Sequence, residues 1–305
     1  MAAPRLVIVT GKGGVGKTTV AAGVARAAVA ARRRALLVEI ATPGKLASVL
    51  DVPALAAEPR VVAEGLAAVA LDEGRALEEL VHGLMPLRLL SRRLLSSETF
   101  RVVAAAVPGI LQAALLAQVV SWLEERDRRG RPRYDVVVLD SPASGHSVPL
   151  LATPRTLSGL ATVGPLGEVM RRTSRWLGDP ELTRALVVAI PEDWAVAEAV
   201  ELYESLRDGL AIPVGRPLLN AVFPRRFSRT EEALLEEAEA GHTVDPELLA
   251  SGRYFVERRR AALAHGKVLR EETRARPLEL PFLFARGMTW DDLDPIADAI
   301  APALA

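Results

Sequence analysis

The chain contains no cysteine. That excludes disulfides, thiolate metal sites and cysteine nucleophiles, and it fits a reducing compartment. Charge of one sign is not in excess either. Lys plus Arg and Asp plus Glu number 38 each, so no whole-molecule field would draw nucleic acid or anionic lipid. Met1 to Thr10 leads straight into a strand-like run and does not read as a signal peptide. Long hydrophobic runs are scarce. Val102 to Val120 is uncharged, but Pro108-Gly109 breaks it and much of it is alanine. A membrane span needs about 20 strongly apolar residues. The expectation is a cytoplasmic chain with no direct membrane insertion.

What is present suits a sizeable core: 50% of the 305 residues are hydrophobic. Apolar runs recur at 5–10, 35–40, 66–71, 134–140, 185–190, 216–222 and 278–281. Most are continuous rather than alternating, as strands covered on both faces are. Helix-like segments separate them. The predicted fold class is therefore α/β, a doubly wound and mostly parallel sheet in a single domain, 1–305. A helix is predicted over 17–32, with Arg32–Arg34 at its C-terminal end. The longest gap between strands, 72–132, reads as a helical insertion. Within it 77–81 is amphipathic, 84–95 mixes leucine with arginine, and 108–126 begins at a proline suited to a first turn. A second helical stretch, 228–268, carries opposite charge blocks typical of solvated faces. Asp294-Pro295 reads as the cap and first turn of a final helix.

Residues 11–19 spell GKGGVGKTT directly after the first apolar run. The frame G-x-x-x-x-G-K-T spans Gly11 to Thr18, between a strand and a helix, and is a phosphate-binding loop. Gly11, Gly13, Gly14 and Gly16 let the backbone turn so that the N–H groups of residues 13–19, Val15 and Thr19 included, face phosphate oxygens. The helix dipole adds to that attraction. Lys17 would reach the β- and γ-phosphates of ATP or ADP, and the Thr18 hydroxyl would ligate Mg²⁺. Farther on, 134–140 is a hydrophobic strand ending in Asp140, the carboxylate expected to hold Mg²⁺ with Thr18.

With Lys12 as a second lysine, GKGGVGKTT resembles the deviant Walker A ATPases, a group that includes MinD, ParA and the arsenite-pump ATPases. The resemblance implies that Lys12 crosses a dimer interface to a partner's nucleotide, where a delivered cation stabilises developing charge as an arginine finger does. The segment D-S-P-A-S-G-H at 140–146 resembles the switch segment D-T-A-P-T-G-H of arsenite-pump and tail-anchored-protein-targeting ATPases. By that resemblance the Gly145 amide senses γ-phosphate. His146 reads equally as a switch residue or as an ordinary loop histidine. Residues 150–160 are similar to that family's post-switch helix, 187–203 to its strand and P-E-x-x-x-x-x-E helix, and Pro108-Gly-Ile to a P-G-I before a client-facing helix. Residues 219–224 resemble its V-N-x-x-x-P segment, which makes Asn220 the expected adenine reader. Pro281-Phe282 falls where a loop covers adenine.

The chain also departs from that pattern. Where the family's first switch has S-T-D-P-A-H, residues 39–44 read E-I-A-T-P-G, with Ala41 at the position of the water-positioning aspartate. Slow or partner-dependent hydrolysis follows. Glu39 reads either as a catalytic helper acting through Mg²⁺ or water, or as a buried structural acid. Without cysteine, neither a metalloid site nor a C-x-x-C zinc clamp can form. The matching region at 253–257 offers no compact His/Asp/Glu cluster instead.

The function expected from the resemblance is a Mg²⁺·ATP-dependent switch. It works as a homodimer or as a heterodimer with a paralogue, and it handles a hydrophobic membrane-protein segment. One alternative is a soluble ATPase energising a membrane anion transporter. Another is a MinD- or ParA-like positioning ATPase, disfavoured by the acidic-then-apolar end, DDLDPIADAIAPALA, and by the neutral charge that argues against nucleic acid. A small-molecule ligase on the same fold, of the dethiobiotin-synthetase type, fits the 140–146 segment less well.

Overall fold

The computed structural model describes residues 3–40, 44–85, 107–160, 163–241, 245–285 and 287–304. Its centre is an 8-stranded sheet in the order β3-β4-β2-β5-β1-β6-β7-β8. The strands are β1 Leu6–Gly11, β2 Ala35–Ile40, β3 Arg60–Ala63, β4 Leu66–Leu71, β5 Val136–Asp140, β6 Thr183–Ala189, β7 Leu218–Val222 and β8 Leu278–Pro281. All neighbours run parallel except β3 with β4, which is antiparallel. The runs that read as continuously apolar are buried on both faces: every residue of β1, β2 and β5 is buried. Alternate residues serve opposite layers. Leu6 and Ile8 join one core cluster, and Val7 and Val9 the other.

One layer holds α1 (Lys17–Ala30), α2 (Lys45–Val49) and α10 (Asp294–Leu304). The other holds α3 (Glu73–Leu84), α4 (Ile110–Glu124), α5 (Ser144–Leu160), α6 (Pro165–Gly178) and α7 (Asp193–Glu204). Near β7 lie α8 (Arg229–Gly241) and α9 (Pro246–Thr273). Local chemistry starts several of these helices. Asp72 accepts the Arg75 N–H at the head of α3, and Asp245 accepts those of Glu247 and Leu248 before α9, whose first residue is Pro246.

Several expectations shift in register. The edge strand β3 is additional to the expected runs, and its residues are half-exposed and alternate weakly. Helix α4 begins at Ile110, with Gly109 in the left-handed conformation (φ 81°) as its cap, so Pro108 precedes the first turn rather than opening it. Helix α1 stops at Ala30, and Arg32–Arg34 lie beyond it. Arg33 donates to the Pro4 and Asp135 carbonyls, while Arg34 forms a two-pronged ion pair with Asp135 at the head of β5. The described part of 72–132 packs as core: α4 is buried along most of its length. The stretch expected over 228–268 is two helices, α8 and α9. Ala41 and most of 84–95 lie outside the described residues.

The contact of α1 with α10 leaves no room at Gly23. A Cβ there would sit 2.4 Å from Ile296 Cγ2. Gly23→Ala gains about 1 kcal/mol of helix propensity but forces an overpacking that costs about 1–3 kcal/mol. We expect a net loss in urea unfolding. A more stable variant would show that α10 yields easily.

Candidate functional site

The carboxyl ends of β1, β5, β6 and β7 converge on one edge of the sheet. Val9 pairs with Asp140 and Gly11 with Val188, so the loop after β1 leaves between β5 and β6. Two glycines are required by close approach. A Cβ on Gly11 would meet the Val188 carbonyl oxygen at 2.4 Å, and one on Gly16 (φ 87°) would meet Asn220 Nδ2 at 2.4 Å. Gly13 and Gly14 instead border open space, with Gly14 also at positive φ (88°). Val15 is buried and anchors the loop from below, while Lys12, Gly13 and Gly14 are exposed. The first turn of α1, which carries Thr18 and Thr19, has no acidic residue and no side-chain cap. Its N–H groups remain available to an anion.

Asn220 stands beneath this loop. Its Nδ2 donates to the Val15 carbonyl at 2.9 Å. Ala221 adopts a left-handed conformation (φ 57°), and the pairing of β7 with β8 slips between Leu219 and Val222. A bulge of this kind re-aims a neighbouring side chain. Pro281 ends the adjacent β8, and Phe282 donates its N–H to the Val222 carbonyl at 2.9 Å. The Phe282 ring lies 4.7 Å from Phe223, within an aromatic group that includes Tyr254, Phe255 and Phe284.

Thr18 donates to Asp140 Oδ2 at 2.7 Å, while Asp140 Oδ1 is buried with no hydrogen-bond partner. An orphaned carboxylate oxygen beside a hydroxyl suits a hard cation, so these residues fit Mg²⁺. Burial pushes the Asp140 carboxyl up to about 6 against the downward pull of the Thr18 hydrogen bond and Lys17. Lys17 is held below its ordinary value, first by burial. Its ammonium donates to the Lys12 carbonyl at 2.8 Å, curled over the loop.

Glu39 at the end of β2 is buried, and both its oxygens accept backbone N–H groups, from Gly44 at 3.2 Å and Leu46 at 2.9 Å. It thereby ties the end of β2 to the start of α2. Gly145 lies exposed in the first turn of α5. That helix is tied to β1 by the buried Thr10–Ser147 hydroxyl pair at 2.9 Å. His146 is exposed beside it.

Lys12 turns away from its own loop. Its ammonium pairs with Glu198 on α7 and lies 5.5 Å from the Trp194 ring. The other Glu198 oxygen accepts the Ser144 hydroxyl. Glu198, Ser144 and Trp194 are not among the site residues expected from the sequence. The available signals are Glu198 as the last residue of the P-E-x-x-x-x-x-E segment and Ser144 within 140–146. Lys45 was missed too, and its charge reaches both Lys17 and Asp140.

Residues 4–164 match the family described as anion-transporting ATPase. ATPase BagA of Mycobacterium tuberculosis is 28% identical over 254 residues, covering 81% of this chain and 74% of that protein. The arsenical pump-driving ATPase of Acidiphilium multivorum is 25% identical over 247 residues, covering 72% of this chain and 40% of its own length. The arsenical pump-driving ATPase of Escherichia coli is 24% identical over 247 residues, covering 72% of this chain and 40% of its own length.

The folded chain holds the Asp140 proton more tightly than an unfolded one, about 6 against 3.8. Asp140 therefore subtracts stability as pH rises through that window, by on the order of 3 kcal/mol once fully ionised. In the nucleotide- and metal-free chain, Asp140→Asn should be more stable than wild type at pH 7.5, with the gap closing towards pH 4. Urea unfolding at several pH values checks this, and a gap independent of pH would refute it.

Proposed function

The chain belongs to the anion-transporting ATPase family and is an ATPase, and from that premise we propose a Mg²⁺·ATP-dependent switch in which two chains meet across bound triphosphate. The observation that carries this reading is the division of labour between two lysines. Lys17 lies over its own cradle, whereas the exposed Lys12 points out of it. A cation that cannot serve its own loop is suited to a neighbour's. In this reading the N–H groups of residues 13–19 and Lys17 hold the phosphates, and Thr18 and Asp140 hold Mg²⁺, which would draw charge from the phosphate oxygens. Gly145 at the head of α5 meets the γ-phosphate. Asn220, already holding Val15 through its amide nitrogen, offers Oδ1 to the adenine amino group, with Pro281 and Phe282 alongside. Glu39 acts by holding the Gly44 and Leu46 amides at the head of α2.

Ala41 stands where the family's aspartate orients water, so hydrolysis is slow. The cargo is a hydrophobic membrane-protein segment. An apolar groove of about 670 Å³ between α8 and α9, lined by Phe227, Leu234, Leu235, Leu248, Leu249 and Phe255, supports that reading. No helix among the described residues is long and apolar enough to cross a membrane, and the proposed compartment is the cytoplasm. A second reading, a subunit energising a membrane anion transporter, is favoured by the relatives named as arsenical pump-driving ATPases. Stabilisation by oxyanions in thermal unfolding would support it.

Sedimentation with an ATP analogue and Mg²⁺ should give a two-chain species for wild type. Lys12→Ala should remain a single chain and lose about 10³-fold or more in turnover, as loss of a delivered cation does. A wild type that stays single in saturating analogue would sink the reading. Ala41→Asp should raise turnover by about 10²-fold, within the range for a positioned proton acceptor. An unchanged rate would mean that Ala41 does not limit hydrolysis.

A further inference from the structure

One carboxylate joins the outward lysine to the segment that follows Asp140. Glu198 sits on α7, its side chain 24% exposed, with the Lys12 ammonium on one oxygen and the Ser144 hydroxyl on the other. Trp194, one turn earlier on the same helix, presents its ring to Lys12 at 5.5 Å and fixes its indole by donating to Glu192 at 2.5 Å. Ser144 is the first residue of α5 and directly precedes Gly145. Burial alone would push the Glu198 carboxyl up, but the hydrogen bonds from Lys12 and Ser144 and the charges of Lys12 and Lys17 together hold it below the usual range.

We propose that Glu198 is a positioning residue for Lys12: it restrains the lysine against its own chain and, through Ser144, ties its release to arrival of a γ-phosphate at Gly145. The proposal rests on the reading of Lys12 as acting across two chains. A γ-phosphate drawn to the head of α5 displaces Ser144 and takes one of the two donors from Glu198. A half-exposed ion pair is a weak restraint, worth about two- to fivefold in an equilibrium. It yields readily to a triphosphate of several negative charges on a facing chain. Diphosphate does not reach Gly145, so the restraint stays closed and Lys12 stays home. The contact thus makes pairing of chains depend on which nucleotide is bound, because each nucleotide has a different affinity for the open and closed arrangements.

Trp194 provides the readout. Its emission is isolated by subtracting the spectrum of the matching Trp194→Phe protein, and Lys12 accessibility is read by its acetylation rate. Both are measured on dilute chain, first without nucleotide and then with ADP or Mg²⁺·ATP. Glu198→Ala retains helix propensity in α7. It should shift Trp194 emission to the value that wild type reaches with Mg²⁺·ATP, and should speed Lys12 acetylation. ADP should leave wild type at rest. Ser144→Ala should lower the ATP concentration for half-change by about two- to fivefold. With an ATP analogue, Glu198→Ala chains should self-associate about two- to fivefold more tightly than wild type. Unchanged emission and acetylation in nucleotide-free Glu198→Ala, or weaker self-association, would overturn the proposal. If wild type stays single in ATP while Trp194 and Lys12 still respond to Glu198→Ala, the pairing of chains fails and the restraint stands.

Discussion

The whole carboxyl edge of the sheet depends on how closely two glycines let backbone approach. Gly11 lies against the Val188 carbonyl and Gly16 against the Asn220 amide, each within 2.4 Å of where a Cβ would stand. These contacts press the loop down between β5 and β6 and leave its outer face, Gly13 and Gly14, open. An anion-binding cradle needs both properties: N–H groups held rigidly and nothing above them. Beside it stand the orphaned oxygen of Asp140 and a start of α1 that carries no side-chain cap. They are polar groups that a charged ligand at this edge could satisfy.

Around that cradle the charges are arranged in two tiers. Lys17 and Asp140 are buried enough for desolvation to dominate their behaviour, each moved towards its neutral form. Each still favours the other's charged form, and a phosphate or a cation brought to the site would add to that effect. Lys12 and Glu198 lie farther out, where solvent weakens their attraction. The inner tier favours binding in place, and the outer tier favours exchange of partners. Glu39, deep at the end of β2, is drawn into holding the Gly44 and Leu46 amides, so its charge reaches the site by fixing a loop and by raising Asp140.

The sequence is legible where the constraint is local. The apolar runs of β1, β2 and β5 have no polar face to confuse their reading, because helices cover both sides. The half-exposed β3 offers no such signal, and its antiparallel pairing with β4 depends on the turn at Gly65, which is packed against Val29 of a distant helix. The start of α4 was displaced because Gly109 takes the left-handed cap against Thr153 of α5, a contact that Pro108-Gly109 does not announce by itself. The aromatic group of Phe223, Tyr254, Phe255, Phe282 and Phe284 is likewise invisible along the chain, since its members come from just past β7, from within α9 and from just past β8.

The consecutive residues 11–19 determined a phosphate loop by themselves, because tight turning, a following helix and a lysine at fixed spacing are all satisfied within nine neighbouring positions. The same is true of the apolar strand that ends at Asp140. Tertiary structure alone decided what stands against that loop. The Asn220 amide reaches Val15 across 205 residues, and Glu198 reaches Lys12 across 186. Both meetings follow from the order of strands in the sheet, which sets β6 beside β1 and β7 beyond it. Strand order is fixed by burial of two whole faces rather than by any short stretch of chain, so no local pattern could have specified those partners.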